Sequence, residues 1–197
     1  QQQKDIINAL TTDTGRRSLS TVEFTALIDS ISKWCDLAPE LLEPKDQKST
    51  SMPEVEILCN YKPFPLLGAI SPWNFPLLLS FIDVIPALLA GSAAFVKPSE
   101  ITPRFAEPIA ETIDGVPDLS MVLTIKPGGS SLGQELVRQV DIIAFTGSVT
   151  TGKKVAQAAA KEFIPAYLEL GGKDPAIVLQ GSDLDRASTA ILRASIA

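Results

Sequence analysis

The stretch IIAFTGSVTTGKKVAQAAAKEF, residues 142–163, decides the fold. It opens on an apolar strand, Ile142 to Phe145, and closes on a helix candidate, Gly152 to Phe163. A strand that turns through Gly-Ser into a helix is the first half of a parallel crossover unit. At that turn the backbone amides and the Ser148 hydroxyl can point at a phosphate, with Lys153 and Lys154 on the helix behind. The same residues can equally serve the turn alone.

Outward from this unit the rhythm repeats. Short strand-like pieces run at Ala93 to Lys97, Met121 to Ile125 and Tyr167 to Leu170, with helix candidates at Pro103 to Ile113 and Ser131 to Gln139. Ser182 and Asp185 pair as the start of a last helix, still running at Ala197. Residues 71–197 therefore read as an α/β, Rossmann-like domain, a parallel sheet with flanking helices. Phe75 to Val96 is apolar enough to suggest a membrane span, but Asp83, Pro86 and Gly91 interrupt it, and a buried helix running into a strand is the reading.

Residues 1–50 form an N-terminal helical segment. Ile6, Ile7 and Leu10, then Phe24, Leu27, Ile28, Ile31 and Trp34, recur at helical spacing around a polar break from Thr11 to Ser20. After a polar loop from Glu43 to Pro53, residues 51–70 read as two strands, Val55 to Asn60 and Leu66 to Ile70, in a β-hairpin appendage.

Seventeen basic against 23 acidic residues give a net charge of −6, which disfavours nucleic acid as a partner. The absence of histidine removes the commonest general base, every Ser-His-Asp arrangement and nearly every zinc site, and no metal is expected. Two distant cysteines, Cys35 and Cys59, and no signal peptide suggest a reducing, cytoplasmic setting, with both thiols packed rather than reactive.

Four further motifs can carry chemistry. Lys97-Pro98-Ser99-Glu100 follows a strand at the edge where α/β sheets bind ligands; its charges suit ribose hydroxyls, or form a solvated pair. Gly128, Gly129 and Gly133 loosely echo a phosphate-binding loop, or are turn residues. In Pro72-Trp73-Asn74-Phe75-Pro76 two prolines restrain the backbone around Asn74, either an oxyanion donor or a turn cap. Glu169 ends an apolar strand before Gly171-Gly172-Lys173, as a partly buried general base or an exposed rim residue.

The order PWNFP, KPSE, glycine-containing loop, FTGS, ELGGK, from Gly68 to the end, resembles the aldehyde dehydrogenase superfamily. That resemblance implies Asn74 as oxyanion donor and Glu169 as the base that activates water, with an aldehyde as substrate. It implies NAD as cofactor, with NADP possible, held by Ile70, Ser71, Pro72, Trp73, Lys97, Ser99, Glu100, Gly129, Gly133, Phe145, Thr146, Gly147, Ser148, Leu170 and Gly171. It also implies a nucleophilic cysteine beyond Ala197, and a homodimer or homotetramer built through the 51–70 hairpin. A non-catalytic nucleotide-binding or interaction protein of the same fold is the other reading.

Overall fold

Both faces of the strands carry apolar side chains, and each face is sealed by its own layer of helices. The computed structural model describes residues 1–196. Strands β3 (Leu66–Ile70), β4 (Ala93–Lys97), β5 (Leu123–Ile125), β6 (Ile142–Gly147) and β7 (Ala166–Leu170) form a five-stranded parallel sheet in the order β5-β4-β3-β6-β7. Leu67, Ala69, Ala94, Val96, Ile142 and Ala144 point to one side. There they meet α3 (Pro76–Phe81), α4 (Val84–Leu89) and α5 (Ala106–Asp114), with α1 (Gln2–Thr14) and α2 (Arg17–Leu41) packed outside them. Ile143 and Phe145 alternate to the other side, against α7 (Ser130–Gln139) and α8 (Val149–Glu162). The short α6 (Pro117–Ser120) leads into β5, and α9 (Leu184–Ile196) follows β7.

The expected α/β class with flanking helices is the observed one, with four local corrections. The polar break between the first helices is only Gly15 and Arg16, because Thr11, Thr12 and Thr14 donate to the carbonyls of Ile7, Asn8 and Leu10 and stay helical. The loop from Glu43 to Pro53 contains β1 (Gln47–Lys48), and the strand expected at Val55 to Asn60 shrinks to β2 (Glu56–Ile57), its antiparallel partner. Leu66–Ile70 is therefore no arm of a hairpin. As β3 it is the central strand, paired in parallel with β4 and β6. Last, the cap of α9 is Asp183, whose carboxylate accepts the Arg186 N–H at 3.0 Å, not the expected Ser182 and Asp185 pair.

No described helix is long and apolar enough to cross a membrane. The run from Phe75 to Val96 is two short helices, broken at Ile82–Asp83, that lead into β4.

Gly68 lets α7 approach the middle strand. A β-carbon there would lie 2.8 Å from Ile143 Cδ1 and 3.1 Å from both Leu136 Cγ and Val140 Cγ1. Overpacking of this kind costs about 1–3 kcal/mol. Gly68→Val is expected to lower the unfolding free energy by about 2 kcal/mol in urea titration, whereas an unchanged midpoint would mean that α7 is not seated on β3.

Candidate functional site

All five strands are parallel, so their carboxyl ends share one edge, and the strand order places a switch point there. From β3 the chain moves outward to β4 and β5, then returns to lay β6 and β7 on the opposite side. Loops after β3 and β6 thus leave over opposite faces and open a crevice between them, the place where such sheets bind ligands. Ile70 is paired with Phe145 at its mouth.

The residues named above for catalysis and cofactor binding lie in this carboxyl-edge region. Ile70 to Asn74 continue β3, Lys97 to Glu100 continue β4, Gly129 and Gly133 flank the start of α7, Phe145 to Ser148 end β6, and Glu169 to Gly171 end β7. The last two groups interlock: Glu169 is paired with Thr146 and Leu170 with Gly147, and the Gly171 N–H donates to the Gly147 carbonyl at 3.2 Å.

Lys97 is 3 % exposed, and its ammonium donates to the Pro98 carbonyl and to Glu100 Oε2, both at 3.0 Å. Its stem runs under α7, where Gly133 comes close to both Lys97 and Ile70. Glu100 reaches into solvent, and its own backbone N–H, then Lys97, hold its carboxyl below the usual range. An ammonium and an anionic carboxylate side by side offer a donor and an acceptor to a vicinal diol. Buried Ser99 accepts the Ile101 N–H at 3.2 Å.

Ser148 is the N-cap of α8: its Oγ accepts the Thr151 N–H at 3.2 Å and donates to Thr151 Oγ1 at 3.1 Å. The turn role and an anion-favouring helix start coincide here. Phe145, given a place at the cofactor by the resemblance, is 5 % exposed and packs into the core on the α8 side.

Asn74 is exposed, and its side chain makes no hydrogen bond among the described residues; α3 begins after it with Phe75 as an N-cap that offers no side-chain bond. The turn-cap role therefore falls away. Its loop is fastened through the backbone instead. Thr102 Oγ1 donates to the Trp73 carbonyl at 3.2 Å, and Arg16 donates to the Asn74 carbonyl while its guanidinium lies 4.9 Å from the Phe75 ring centre. Glu23, 3 % exposed on α2, accepts the N–H groups of Leu77 and Leu78 at 2.7 and 3.0 Å.

Of the two surroundings open to Glu169, the exposed strand end is the one observed, because β7 is an edge strand. A second carboxylate, Asp83 between α3 and α4, is pushed above its ordinary value by burial first and by the negative charge of Glu169 second.

Asp13, Arg16, Glu23, Asp83 and Thr102 were not picked out in the sequence. For Glu23 a signal existed. With Ser20 and Leu27 it lies at helical spacing on the buried face of α2, and a carboxylate on such a face needs a partner.

With this geometry in place, comparison with known proteins becomes informative. Residues 1–197 match the model of the aldehyde dehydrogenase family. The chain belongs to the aldehyde dehydrogenase family. A Mycolicibacterium smegmatis protein provisionally named a succinate-semialdehyde dehydrogenase [NADP(+)] is 39% identical over 187 residues, 92% of this chain and 36% of that protein. The solved structure of PutA from Anabaena variabilis, assigned by name to the aldehyde dehydrogenases, superposes with a TM-score of 0.91 at 53% identity, over 96% of this chain and 40% of that one. Lactaldehyde dehydrogenase from Escherichia coli gives a TM-score of 0.86 at 33% identity, over 98% and 41%. This chain thus spans little more than a third of the length of the curated aldehyde dehydrogenases it matches.

Burial raises the Glu23 carboxyl above its ordinary value of 4.5, against the opposing pull of the Leu78 and Leu77 N–H groups and of Arg16. A folded-state value above the unfolded one means that the folded protein holds more protons in that window, so stability falls as pH rises through it. Relative to Glu23→Gln, the wild-type chain is expected to lose stability as pH climbs from about 4.5 and then to run parallel; parallel pH curves throughout would refute the burial of a charged Glu23.

Proposed function

We propose that the polypeptide carrying this chain oxidises an aldehyde to a carboxylic acid through a cysteine thioester, with hydride passing to NAD, the cysteine being supplied from beyond residue 197. The observation that carries this reading is the convergence of Asn74, Lys97 with Glu100, Ser148 and Glu169 on one sheet edge at the switch point. Family membership supports it independently.

The residues fit a dinucleotide. Lys97 and Glu100 would hold the adenosine ribose as donor and acceptor, 3.0 Å apart and already oriented. Ser148 and the first amides of α8, a helix of 14 residues, would face the pyrophosphate. Ile70, Ser71, Pro72, Trp73, Gly129, Gly133, Thr146, Gly147, Leu170 and Gly171 would border the cleft. When bound, a nicotinamide cofactor supplies the hydride acceptor. NAD is favoured because the ionised, exposed Glu100 repels a 2′-phosphate, while the buried Lys97 beside it keeps NADP admissible.

The chemistry asked of the chain is electrostatic and protolytic. When a thiolate attacks the aldehyde, negative charge grows on the carbonyl oxygen, and the unengaged amide of Asn74 donates to it. Once the thioester has formed, Glu169 takes a proton from water, which attacks the acyl carbon and releases the acid. Exposure of Glu169 leaves it open to water on this chain alone. The aldehyde itself is a small molecule.

Cys35 is exposed rather than packed as expected and Cys59 is half-buried, and two free thiols suit a reducing cytoplasm. Val55, Ile57, Leu58, Tyr61 and Phe64 are all more than a third exposed around β2, which supports a homodimer or homotetramer assembled through this segment.

Steady-state and burst kinetics on the full-length polypeptide provide the test. Asn74→Ala is expected to lower kcat about 100- to 1000-fold with little change in the KM for NAD. Glu169→Gln should retain a first-turnover burst of reduced cofactor while abolishing the following steady state. If wild-type protein binds NAD but oxidises no aldehyde, the non-catalytic nucleotide-binding reading replaces this one. Failure to bind either cofactor would remove both.

A further inference from the structure

Three charged side chains from the corner between α1 and α2 and the first turns of α2 stand outside the candidate site, yet all of them grip loops or a helix start beside it. Gly15, with φ +71°, ends α1 in the left-handed region and turns the chain tightly into α2. Asp13 just before it accepts the Arg104 N–H at 2.9 Å and the Arg104 guanidinium. Arg16 just after it donates to the Asn74 carbonyl, and Glu23, two turns on, accepts from Leu77 and Leu78. The two gripped loops are joined to each other by Thr102 and Trp73.

We propose that Arg16 and Glu23 are positioning residues for Asn74: they hold its own carbonyl and the backbone three and four residues further on, and so set the direction of its amide. The proposal rests on the reading of Asn74 as the oxyanion donor. Its physical basis is that no hydrogen bond among the described residues fixes that side chain directly. Asn74 is exposed and makes no side-chain hydrogen bond among the described residues, so its aim depends on the loop backbone. The helix that follows has no cap of its own. Glu23 provides the missing acceptor from 54 residues away in sequence, and Arg16 holds the carbonyl of Asn74 itself. Displacing a donor by about 1 Å costs on the order of 100-fold in rate.

Both bonds from Leu77 and Leu78 end on the same oxygen, Oε1, of Glu23. Glutamine presents a carbonyl oxygen at that position, so Glu23→Gln keeps the contact while Glu23→Ala removes it. Arg16 is only partly buried, and Arg16→Ala tests the other end without a fully buried deletion.

The experiment uses the full-length polypeptide with Asn74→Ala as the reference. Arg16→Ala and Glu23→Ala are expected to lower kcat about 10- to 100-fold, with the dissociation constant for NAD within about twofold of wild type, and Glu23→Gln to stay within about threefold. Amide exchange at Leu77 and Leu78 should quicken in Glu23→Ala and not in Glu23→Gln. In the Asn74→Ala background, Glu23→Ala should cost nothing further, because a residue acting through another is silent once that other is gone. The proposal is overturned if Asn74→Ala slows turnover while Arg16→Ala and folded Glu23→Ala do not, or if their losses multiply with that of Asn74→Ala. Asn74→Ala leaving kcat unchanged would instead remove the oxyanion reading, and this inference with it.

Discussion

A parallel sheet covered on both faces has only its strand ends open to ligands, and that constraint organises the molecule. The hydrogen-bonding demands of β3, β4 and β6 are met by neighbouring strands, and their side chains are consumed by two apolar layers. Polar side chains with chemistry to offer are left to the loops at the carboxyl ends. The strand order then puts the loops after β3 and β6 on either side of one crevice.

Loops are the least rigid part of such a design, and here the rigidity is imported. Lys97 and Ser99 are buried and bonded within their own loop, while the loop after β3 is held by Arg16 at the start of α2, by Glu23 on α2 and by Thr102 in the segment before α5. A buried carboxylate such as Glu23 is unfavourable unless its oxygens find donors, and the open N–H groups at the start of α3 are donors that need an acceptor. Each satisfies the other, so two local liabilities become one long-range restraint. The N-terminal helices are thus part of the site's frame as well as of the core.

Much of the sheet was legible because apolar runs bounded by turn residues identify strands whatever they pair with. Leu66 to Ile70 and Ala93 to Lys97 are found as read. The partner of a strand is another matter: nothing local in Leu66 to Ile70 distinguishes a hairpin arm from the middle of a parallel sheet, since its neighbours begin at Ala93 and Ile142. The threonines of α1 misled for a related reason. They look like a loop by composition and are helical because each hydroxyl bonds the turn before it. The candidate site residues were named from an ordered set of motifs, and the fold brings them to one sheet edge. Arg16 and Glu23 were not named, because what marks them is contact with residues more than fifty positions away.

The carboxyl edge is consequently divided into two unequal halves. On the β3 and β4 side the polar groups are anchored before any ligand arrives: Lys97 is paired, Ser71 shares a 2.6 Å hydrogen bond with Ser80, and the Asn74 loop is fastened at both ends. The β7 side is different. Glu169 and Leu170 stand on an edge strand, and Tyr167 beside them is 66% exposed. The proposed reaction needs preorganised groups for binding and for oxyanion stabilisation, and the polar groups on the β3 and β4 side are held by this chain's own residues. It also needs water beside Glu169, whose carboxylate is exposed on β7. The two halves of the edge therefore differ in how firmly their polar groups are held before a ligand arrives.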